Sequence, residues 1–185
     1  MHVSLRDARL SDLPDITAIY ADSVLNGTAS YELEPPQEAE MRERMLAITS
    51  KGFPYIVAED PGGTLFGYAY ASPFRTRPAY RWLVEDSIYL APAARGQGIG
   101  RALLAELLLR CTRLGFRQMV AVIGGASEAS VALHRGLGFE MSGTLKGTGF
   151  KHGRWLDTVL MQIALGDGTT SSPDQTIYPG TLYPG

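Results

Sequence analysis

Cysteine is nearly absent from this sequence, and its scarcity limits the kinds of site the chain can build. The 185 residues include one cysteine, Cys111, and three histidines. A single cysteine excludes an intramolecular disulfide and any metal site built from several thiolates. A chain with so few thiols suits a reducing compartment, so we expect a cytoplasmic protein that holds no metal.

Long apolar runs and a strong net charge are also missing. No apolar stretch approaches the roughly 20 residues of a membrane span, and the first residues, M-H-V-S-L-R-D, lack the apolar centre of a signal peptide. The formal net charge is −2, which gives no support for nucleic-acid binding. We therefore expect no nucleic-acid partner and no membrane partner.

The regular elements follow from the spacing of apolar residues, with a period of two for strands and near 3.6 for helices. The predicted strands are Val3–Leu10, Tyr55–Glu59, Leu65–Ser72, Leu83–Leu90, Gln118–Ile123, Phe139–Gly143 and Trp155–Ile163. The predicted helices are Leu13–Val24, Pro35–Ser50, one that opens inside Ala94–Arg101, and Ser127–Leu137. Asp60-Pro61-Gly62-Gly63 predicts an antiparallel hairpin, and the third helix predicts a parallel, right-handed crossover.

One domain is expected, with a change of composition near its end. Residues 1–166 have the ordinary composition of a globular domain long enough for a core. From Asp167 the chain becomes rich in glycine, threonine, serine and proline. We therefore predict that residues 167–185 form a flexible C-terminal tail.

A glycine-rich turn, Ala94–Arg101, reads A-R-G-Q-G-I-G-R between an apolar strand and a leucine-rich helix. Glycines let the backbone turn tightly and let a ligand approach its N–H groups. A helix that begins inside this turn has unpaired amides and a positive dipole end, which favour an anion such as a phosphate. The spacing is neither that of a dinucleotide-binding fingerprint nor that of a Walker A loop. From these residues alone, a plain strand–helix turn stays the alternative.

Several motifs, in order along the chain, resemble those of one family. Arg95-x-x-Gly98-x-Gly100 resembles the pyrophosphate loop of the GCN5-related N-acetyltransferases (GNAT), and its flanking motifs resemble their phosphinothricin and methionine sulfoximine acetyltransferase branch. These motifs are Ala79-Tyr80, Leu83-Val84-Glu85-Asp86-Ser87, Ser130-Val131-Ala132-Leu133-His134-Arg135-Gly136-Leu137-Gly138-Phe139 and Gly149-Phe150-Lys151-His152-Gly153-Arg154-Trp155. The resemblance runs from about Leu5 to Ile163. It implies an α/β (α+β) fold: a mixed sheet of about six to seven strands, splayed at the cofactor site and flanked by about four helices.

The resemblance implies acetyl-coenzyme A (acetyl-CoA) as the acetyl donor. It assigns the pyrophosphate to the glycine-rich turn and the thioester carbonyl to a backbone N–H near the end of the preceding strand. The residues so assigned to the cofactor are Ile88, Tyr89, Leu90, Arg95, Gly96, Gln97, Gly98, Ile99, Gly100, Arg101, Ser127 and Ser130. Ser127 replaces an asparagine that is common in the family. This replacement removes one side chain that extends toward the cofactor. Ser130 is expected to hydrogen-bond the pantetheine or the sulfur.

Two acids and one histidine are the candidates for the chemistry. Glu85 and Asp86 are consecutive strand residues, so only one of them faces the site. Glu85 matches the family's catalytic glutamate, which implies that it removes the proton of the acceptor's ammonium group. A structural ion pair stays the alternative for either acid. His134 matches the family motif Leu-His-x-x-Leu-Gly, which implies that it positions or deprotonates the acceptor. Leu104 stands where this branch has a tyrosine, so the sequence identifies no acid for the leaving sulfur.

Four residues are assigned to the acceptor. Arg75 and Arg77 match a basic loop at the family's substrate mouth, and a guanidinium binds a carboxylate through two parallel hydrogen bonds. Tyr80 matches the branch within the same loop. Tyr31 lies in the loop Thr28–Glu34, which the resemblance makes the rim of the acceptor pocket. A solvated basic loop and a ring packed on a surface loop are the alternatives.

The resemblance implies direct acetyl transfer from acetyl-CoA to a small amino-acid-like amine, of the phosphinothricin and methionine sulfoximine or sulfone class. A different amine, such as a polyamine or a protein amino terminus, is one alternative, although a polyamine pocket should be acidic and the loop holds arginines. A coenzyme A-binding regulatory module without chemistry is the other, and the presence of Glu85 and His134 weighs against it. A homodimer is common in this branch.

Overall fold

Seven strands form one sheet, in the order β1-β2-β3-β4-β5-β7-β6. The computed structural model describes residues 3–183 of the chain. The strands are β1 (Ser4–Asp7), β2 (Tyr55–Glu59), β3 (Leu65–Pro73), β4 (Leu83–Leu90), β5 (Gln118–Gly124), β6 (Glu140–Lys151) and β7 (Arg154–Ala164). Neighbouring strands are antiparallel, except that β4 and β5 are parallel. The mixed sheet, the β2–β3 hairpin and the parallel crossover are confirmed.

Helices cover both faces of the sheet. They are α1 (Leu13–Asn26), α2 (Glu38–Thr49), α3 (Ile99–Arg113), α4 (Glu128–Arg135) and the short α5 (Tyr178–Thr181). No helix between residues 3 and 183 has the length and apolar character needed to cross a membrane. In the same range, no three His, Cys, Asp or Glu side chains come together as metal ligands.

The two faces of β3 explain how the helices are divided between them. Tyr68 points to one side and packs with α1 and α2, whereas Ala69 and Ala71 point to the other and pack with α3. Successive strand residues face opposite sides, so this alternation of large and small side chains produces two different surfaces. The broad side chains fill the space under two helices, and the small ones let α3 lie close to the sheet.

The central strands separate at one end of the sheet. β4 and β5 pair only from Leu83↔Gln118 to Asp86↔Ala121. Beyond these residues β4 stays paired with β3, and β5 stays paired with β7. The two strands therefore diverge and leave a cleft between them, as the splayed sheet of the resemblance implies.

Several predicted bounds are wrong, and the reasons are local. β1 ends at Asp7 rather than Leu10, because Leu10–Asp12 forms a 3-10 turn in which the Arg9 N–H donates to the Asp12 carboxylate at 2.7 Å. α2 begins at Glu38 rather than at Pro35.

The largest difference is in β6, which runs to Lys151 rather than ending at Gly143. Lys146 and Lys151, which lie between the predicted strands Phe139–Gly143 and Trp155–Ile163, are therefore part of β6. The stretch is rich in glycine and its pairing with β7 shifts register twice, so it has no regular apolar period that identifies a strand.

The segment after Gly166 lies against the domain as far as Tyr183. Arg117 donates to the backbone oxygens of Gly168, at 2.7 Å, and Ser171, at 2.9 Å. The Tyr178 ring meets Phe116 edge to face, with ring centres 5.6 Å apart. The last two residues of the predicted tail, 184 and 185, lie outside the described residues. Flexibility of residues 167–185 stays a prediction, and these contacts favour a docked segment.

Candidate active site

The cleft between β4 and β5 contains a cavity of about 740 Å³. Its walls come from β4, β5, the glycine-rich turn, α4 and the segment that follows α1. Glu85, near the start of β4, and the glycine-rich turn that follows the end of β4 both belong to this lining. An elongated ligand with an anionic end suits such a cleft, because the turn and Glu85 differ in charge.

The glycine-rich turn leads directly into α3. Gly98 is the residue before the helix and has a φ of 79°, in the left-handed region that favours glycine. The first backbone bond of the helix runs from Ala102 N–H to the Gly98 oxygen at 3.1 Å. The amides before Ala102 are thus the free N–H groups of a helix start, which suit a phosphate.

The residues of the turn divide into two groups. The first group lines the cavity and consists of Arg95, Gly96, Gly98, Gly100 and Arg101. The Ile99 side chain is buried in the core, and the Gln97 amide donates to the Ala93 oxygen. Of these two predicted cofactor residues, only the backbone N–H groups remain available to a ligand at the cavity.

Both arginines of the turn have partners that fix them. Arg95 pairs with Asp22 of α1 at 2.9 Å, and Arg101 donates to the Gly136 oxygen at 2.7 Å. The Arg95–Asp22 pair joins the turn to α1.

The second half of β4 supplies further backbone donors. Ile88, Tyr89 and Leu90 line the cavity, and here β4 has no partner on the side that faces β5. An unpaired strand edge presents N–H and C=O groups to whatever occupies the cleft. The three residues predicted for the thioester carbonyl therefore lie on a suitable edge.

Glu85 is on the α1 face of the sheet, together with Ser87 and Tyr89. Its side chain is partly buried beside the cavity. Burial raises the pKa of Glu85, and the nearby Asp86 charge raises it further, against a lowering by Arg75. A carboxylate with a raised pKa is a stronger base than an ordinary glutamate, which suits proton removal from an ammonium group.

Asp86 points to the opposite face and contacts His134 of α4. The distance from Asp86 Oδ2 to His134 Nε2 is 3.0 Å, and both side chains are 2% exposed. The other ring nitrogen, Nδ1, lies 2.7 Å from the Ser130 carbonyl oxygen, so it must donate a proton there. One proton is then shared between Nε2 and Asp86. Burial lowers the pKa of His134, but the hydrogen bond and charge of Asp86 outweigh that effect and raise it.

This buried pair bears on the predicted role of His134. Both ring nitrogens are engaged, and the residue is 1% exposed. The arrangement suits a side chain that positions β4 and α4 at the fork of the sheet more than a base that meets the acceptor directly. The Asp86 contact was missed because it joins residues 48 positions apart. In the sequence, the only indication of this contact was that Asp86 lies on the strand face opposite to Glu85.

Ser127 and Ser130 open α4 and also line the cavity. The Ser127 hydroxyl accepts the Ser130 N–H at 3.4 Å and so caps the start of the helix. The Ser130 hydroxyl lies 3.4 Å from His134 Nδ1. The two serines therefore face the cleft from the start of this helix.

The predicted acceptor residues fall into two places. Arg75, Arg77 and Tyr80, together with Thr76, surround a smaller cavity of about 340 Å³. β3 pairs Ser72 with Glu85, and this basic loop follows β3 directly, so it begins near the acid. Tyr31 lines neither cavity; its hydroxyl is bonded to β7 and to the turn after β5.

Comparison with known proteins gives a consistent result. The model of the GNAT acetyltransferase domain matches residues 5–160. A phosphinothricin N-acetyltransferase of Alcaligenes faecalis is 51% identical over 172 residues, which cover 92% of this chain and 87% of that protein. An L-methionine sulfoximine/L-methionine sulfone acetyltransferase of Pseudomonas aeruginosa is 42% identical, over 94% of this chain and all of that protein.

Solved structures agree. The crystal structure of a GNAT superfamily phosphinothricin acetyltransferase from Sinorhizobium meliloti, in complex with acetyl-CoA, is 63% identical, with a TM-score of 0.97 and full coverage of both chains. The structure of a protein from Salmonella typhimurium with its cofactor acetyl-CoA is 34% identical and has a TM-score of 0.88, over 94% of this chain and 99% of the other. With its splayed sheet, its glycine-rich turn and these relatives, the chain belongs to the GNAT acetyltransferase family.

Proposed function

We propose that this protein transfers the acetyl group of acetyl-CoA to the amino group of a small amino-acid-like acceptor, of the phosphinothricin and methionine sulfoximine or sulfone class. The observation that supports this most is one cleft lined both by the free amides of a helix start and by a partly buried glutamate. The activities named for the most similar relatives support the acceptor class.

The lining of the cleft fits acetyl-CoA, which supplies an acetyl group already activated as a thioester. The amides at the start of α3, with Arg95 and Arg101, provide donors and positive charge for the pyrophosphate. The unpaired edge of β4 at Ile88–Leu90 provides N–H donors for an acyl oxygen. Ser127 and Ser130 offer hydroxyl groups from the other wall.

Glu85 is the general base. An amine reacts as a nucleophile only after it loses the extra proton of its ammonium form, and Glu85 accepts that proton, directly or through one water. Its burial and the adjacent Asp86 charge favour the protonated carboxyl, so the proton transfer is less uphill than it is to an exposed glutamate.

Arg75 and Arg77 bind the carboxylate of the acceptor. They and Tyr80 surround the smaller cavity, and their loop follows the end of β3 that pairs with Glu85, which supports an acceptor that contacts both groups. A guanidinium matches a carboxylate through two parallel hydrogen bonds. A polyamine, which is cationic, meets repulsion at the same place.

The test is release of free coenzyme A thiol from acetyl-CoA with a panel of acceptors. The panel contains phosphinothricin, methionine sulfoximine, methionine sulfone, ordinary amino acids, spermidine and a peptide. We expect fast release with the first three compounds and little with spermidine or the peptide. Release with spermidine or the peptide alone contradicts the acceptor class, and binding of acetyl-CoA without turnover of any amine favours the regulatory module.

The proposal includes a homodimer formed through the β6–β7 end of the sheet. β6 is an edge strand. Four apolar side chains of this hairpin expose about half or more of their surface: Met141, Leu145, Phe150 and Trp155. An edge that presents apolar side chains favours association with a second copy. Light scattering should give a dimer for the wild type and a monomer for Trp155→Glu; a wild-type monomer at all concentrations contradicts the dimer.

A cytoplasmic location completes the proposal. Cys111 is a buried free thiol, which suits a reducing compartment. Cell fractionation should find the protein with soluble cytoplasmic markers.

A further inference from the structure

The basic loop, residues 74–82, joins β3 to β4 and is exposed at each of residues 75–80. Inside the loop, the Phe74 and Tyr80 rings meet edge to face with their centres 6.1 Å apart, and the Tyr80 N–H donates to the Arg77 oxygen at 2.9 Å. These contacts give the loop an internal shape but do not fix it relative to the sheet. An exposed loop keeps one orientation only where contacts with other segments hold it.

Arg81, near the end of this loop, contacts the C-terminal segment directly. Its guanidinium donates to the Gln175 side-chain oxygen at 3.1 Å and to the Tyr183 backbone oxygen at 3.4 Å. Its backbone N–H donates to the Pro78 oxygen at 3.1 Å and closes the 3-10 turn that contains Tyr80. Arg81 therefore joins this turn of the loop to the C-terminal segment.

Trp82 connects the loop to the same region through its backbone. Its carbonyl oxygen accepts the N–H groups of Arg117, at 2.9 Å, and Gln118, at 3.1 Å, where β5 begins. The Arg117 guanidinium in turn donates to the backbone oxygens of Gly168 and Ser171. The end of the loop therefore lies next to both β5 and the C-terminal segment.

The C-terminal segment is itself anchored on the domain where it meets the loop. The Tyr178 ring packs on Phe53 and Phe116, with ring centres 6.0 and 5.6 Å away. Gly115 has a φ of 90°, and a Cβ atom built on it collides with the Ile177 side chain, so a glycine leaves room for that contact. A segment packed in this way offers a fixed point to which the loop can be attached.

We propose that Arg81 is a positioning residue: it fastens the basic loop to the C-terminal segment and so fixes Arg75 and Arg77 in the orientation that binds the acceptor carboxylate. The part of this inference that concerns the acceptor rests on the proposed function. The smaller cavity is lined by Arg75, Arg77 and their neighbours but not by Arg81, so Arg81 acts through the loop. A small displacement of a binding group weakens binding even when the displaced group itself is intact.

The first test measures steady-state kinetics with methionine sulfone, which carries a carboxylate. In Arg81→Met we expect the acceptor KM to rise about fivefold or more, with kcat and the KM of acetyl-CoA within about twofold of wild type. Gln175→Leu, which removes one partner of Arg81, should act in the same direction if Arg81→Met folds poorly. Arg117→Met is the matched control and should leave the acceptor KM unchanged, because its guanidinium contacts the C-terminal segment at other residues. An unchanged acceptor KM in both Arg81→Met and Gln175→Leu overturns the inference.

A second kinetic test separates positioning from a general loss of stability. Arg81→Met is added to a variant in which Arg75 and Arg77 are both replaced by alanine. Because no guanidinium is then left to position, we expect the added change to alter the acceptor KM less than about twofold, so that the effects are non-additive. The same rise in KM in both backgrounds overturns the inference, since a merely structural effect does not depend on the two arginines.

The third test does not need an acceptor. Hydrogen exchange at the amides of residues 79–81 should be about fivefold faster in Arg81→Met and Gln175→Leu than in the wild type and Arg117→Met. Equal exchange in all four proteins overturns the inference. If exchange is faster in the first two variants but the wild type acetylates no amine that carries a carboxylate, the proposed function fails and the fastening of the loop stands.

Discussion

Glu85 and Asp86 are neighbours in β4, yet their carboxyl groups lie in different environments. Glu85 faces the α1 side, near the basic loop, and Asp86 faces α4, where it shares a proton with His134. The alternation of a strand separates them, and each environment then sets its own chemistry. At the scale of single residues, the role that we propose for Glu85 depends on the face that it occupies.

Glu85→Gln keeps the shape of the side chain and removes its basicity. We expect kcat to fall about 100-fold or more, with little change in the Kd of acetyl-CoA, because the turn that we propose for the pyrophosphate follows the opposite end of β4. Steady-state kinetics and calorimetry check both values. Glu43→Gln, on the exposed side of α2, is the control. Unchanged kcat in Glu85→Gln removes Glu85 from the base role.

The pH dependence follows from the raised pKa of Glu85. A general base works only when deprotonated, so kcat/KM should fall as the pH is lowered through that pKa. Because burial and Asp86 raise the pKa above its ordinary 4.5, the acid limb should lie at a higher pH than an exposed glutamate gives. A pH–rate profile measures it, and Glu85→Gln should lack this limb. A wild-type profile that stays flat down to the ordinary glutamate range speaks against the assignment.

Arg77→Ala tests carboxylate binding. We expect the acceptor KM to rise about tenfold or more, the effect of losing a charge-assisted hydrogen bond of about 1.5–3 kcal/mol. The KM of acetyl-CoA should stay unchanged. Arg113→Ala is a matched control, because Arg113 is exposed at the far end of α3. If the acceptor KM does not move, the loop is only a solvated basic loop.

At the scale of elements, the entry into α3 is the part that the sequence predicted best. Its glycine spacing indicated a tight turn and a helix start, and the structure has both, with Gly98 in the left-handed region. By contrast, β6 was predicted far too short, because glycines and register shifts remove the period that marks a strand. Local chemistry identifies a turn, whereas an irregular edge strand depends on its pairing partner.

Gly98→Ala tests the turn without steric conflict. An added Cβ meets nothing within 4 Å, but the φ of 79° strains an alanine by about 1 kcal/mol. We expect acetyl-CoA to bind roughly fivefold to tenfold more weakly as the backbone relaxes and its amides turn. Gly63→Ala, in the β2–β3 hairpin, has an equally open site and a φ of 85°, so it should show the strain without the loss of affinity. Equal affinities in both variants contradict the role of the turn.

At the scale of the whole molecule, most contacts that build the site join distant parts of the chain. The alternation of β4 identified Glu85 and Asp86 as facing opposite sides, but the partner of Asp86 and the position of Tyr31 depend on how α4, β6 and β7 pack. No local pattern encodes those distances. The family resemblance identified candidate residues in the sequence, and the structure showed which residues they contact.

The C-terminal segment belongs to this scale as well. The Tyr178 ring packs on Phe53 and Phe116, with ring centres 6.0 and 5.6 Å away. Tyr178→Ala should lower the free energy of unfolding by about 2 kcal/mol and leave kcat unchanged, because the ring is remote from the cleft. Denaturant unfolding with a parallel assay measures both. No loss of stability indicates the flexible tail that the composition predicts.

The most direct test of the account identifies the product formed from acetyl-CoA and methionine sulfone. Mass spectrometry with fragmentation shows whether the α-amino nitrogen carries an acetyl group, and a thiol assay of the same sample counts the coenzyme A released. We predict one acetylated amino group for each thiol, with both lost together in Glu85→Gln. Thiol release without acetylated amine, or equal turnover in Glu85→Gln, contradicts transfer to an amine that Glu85 deprotonates.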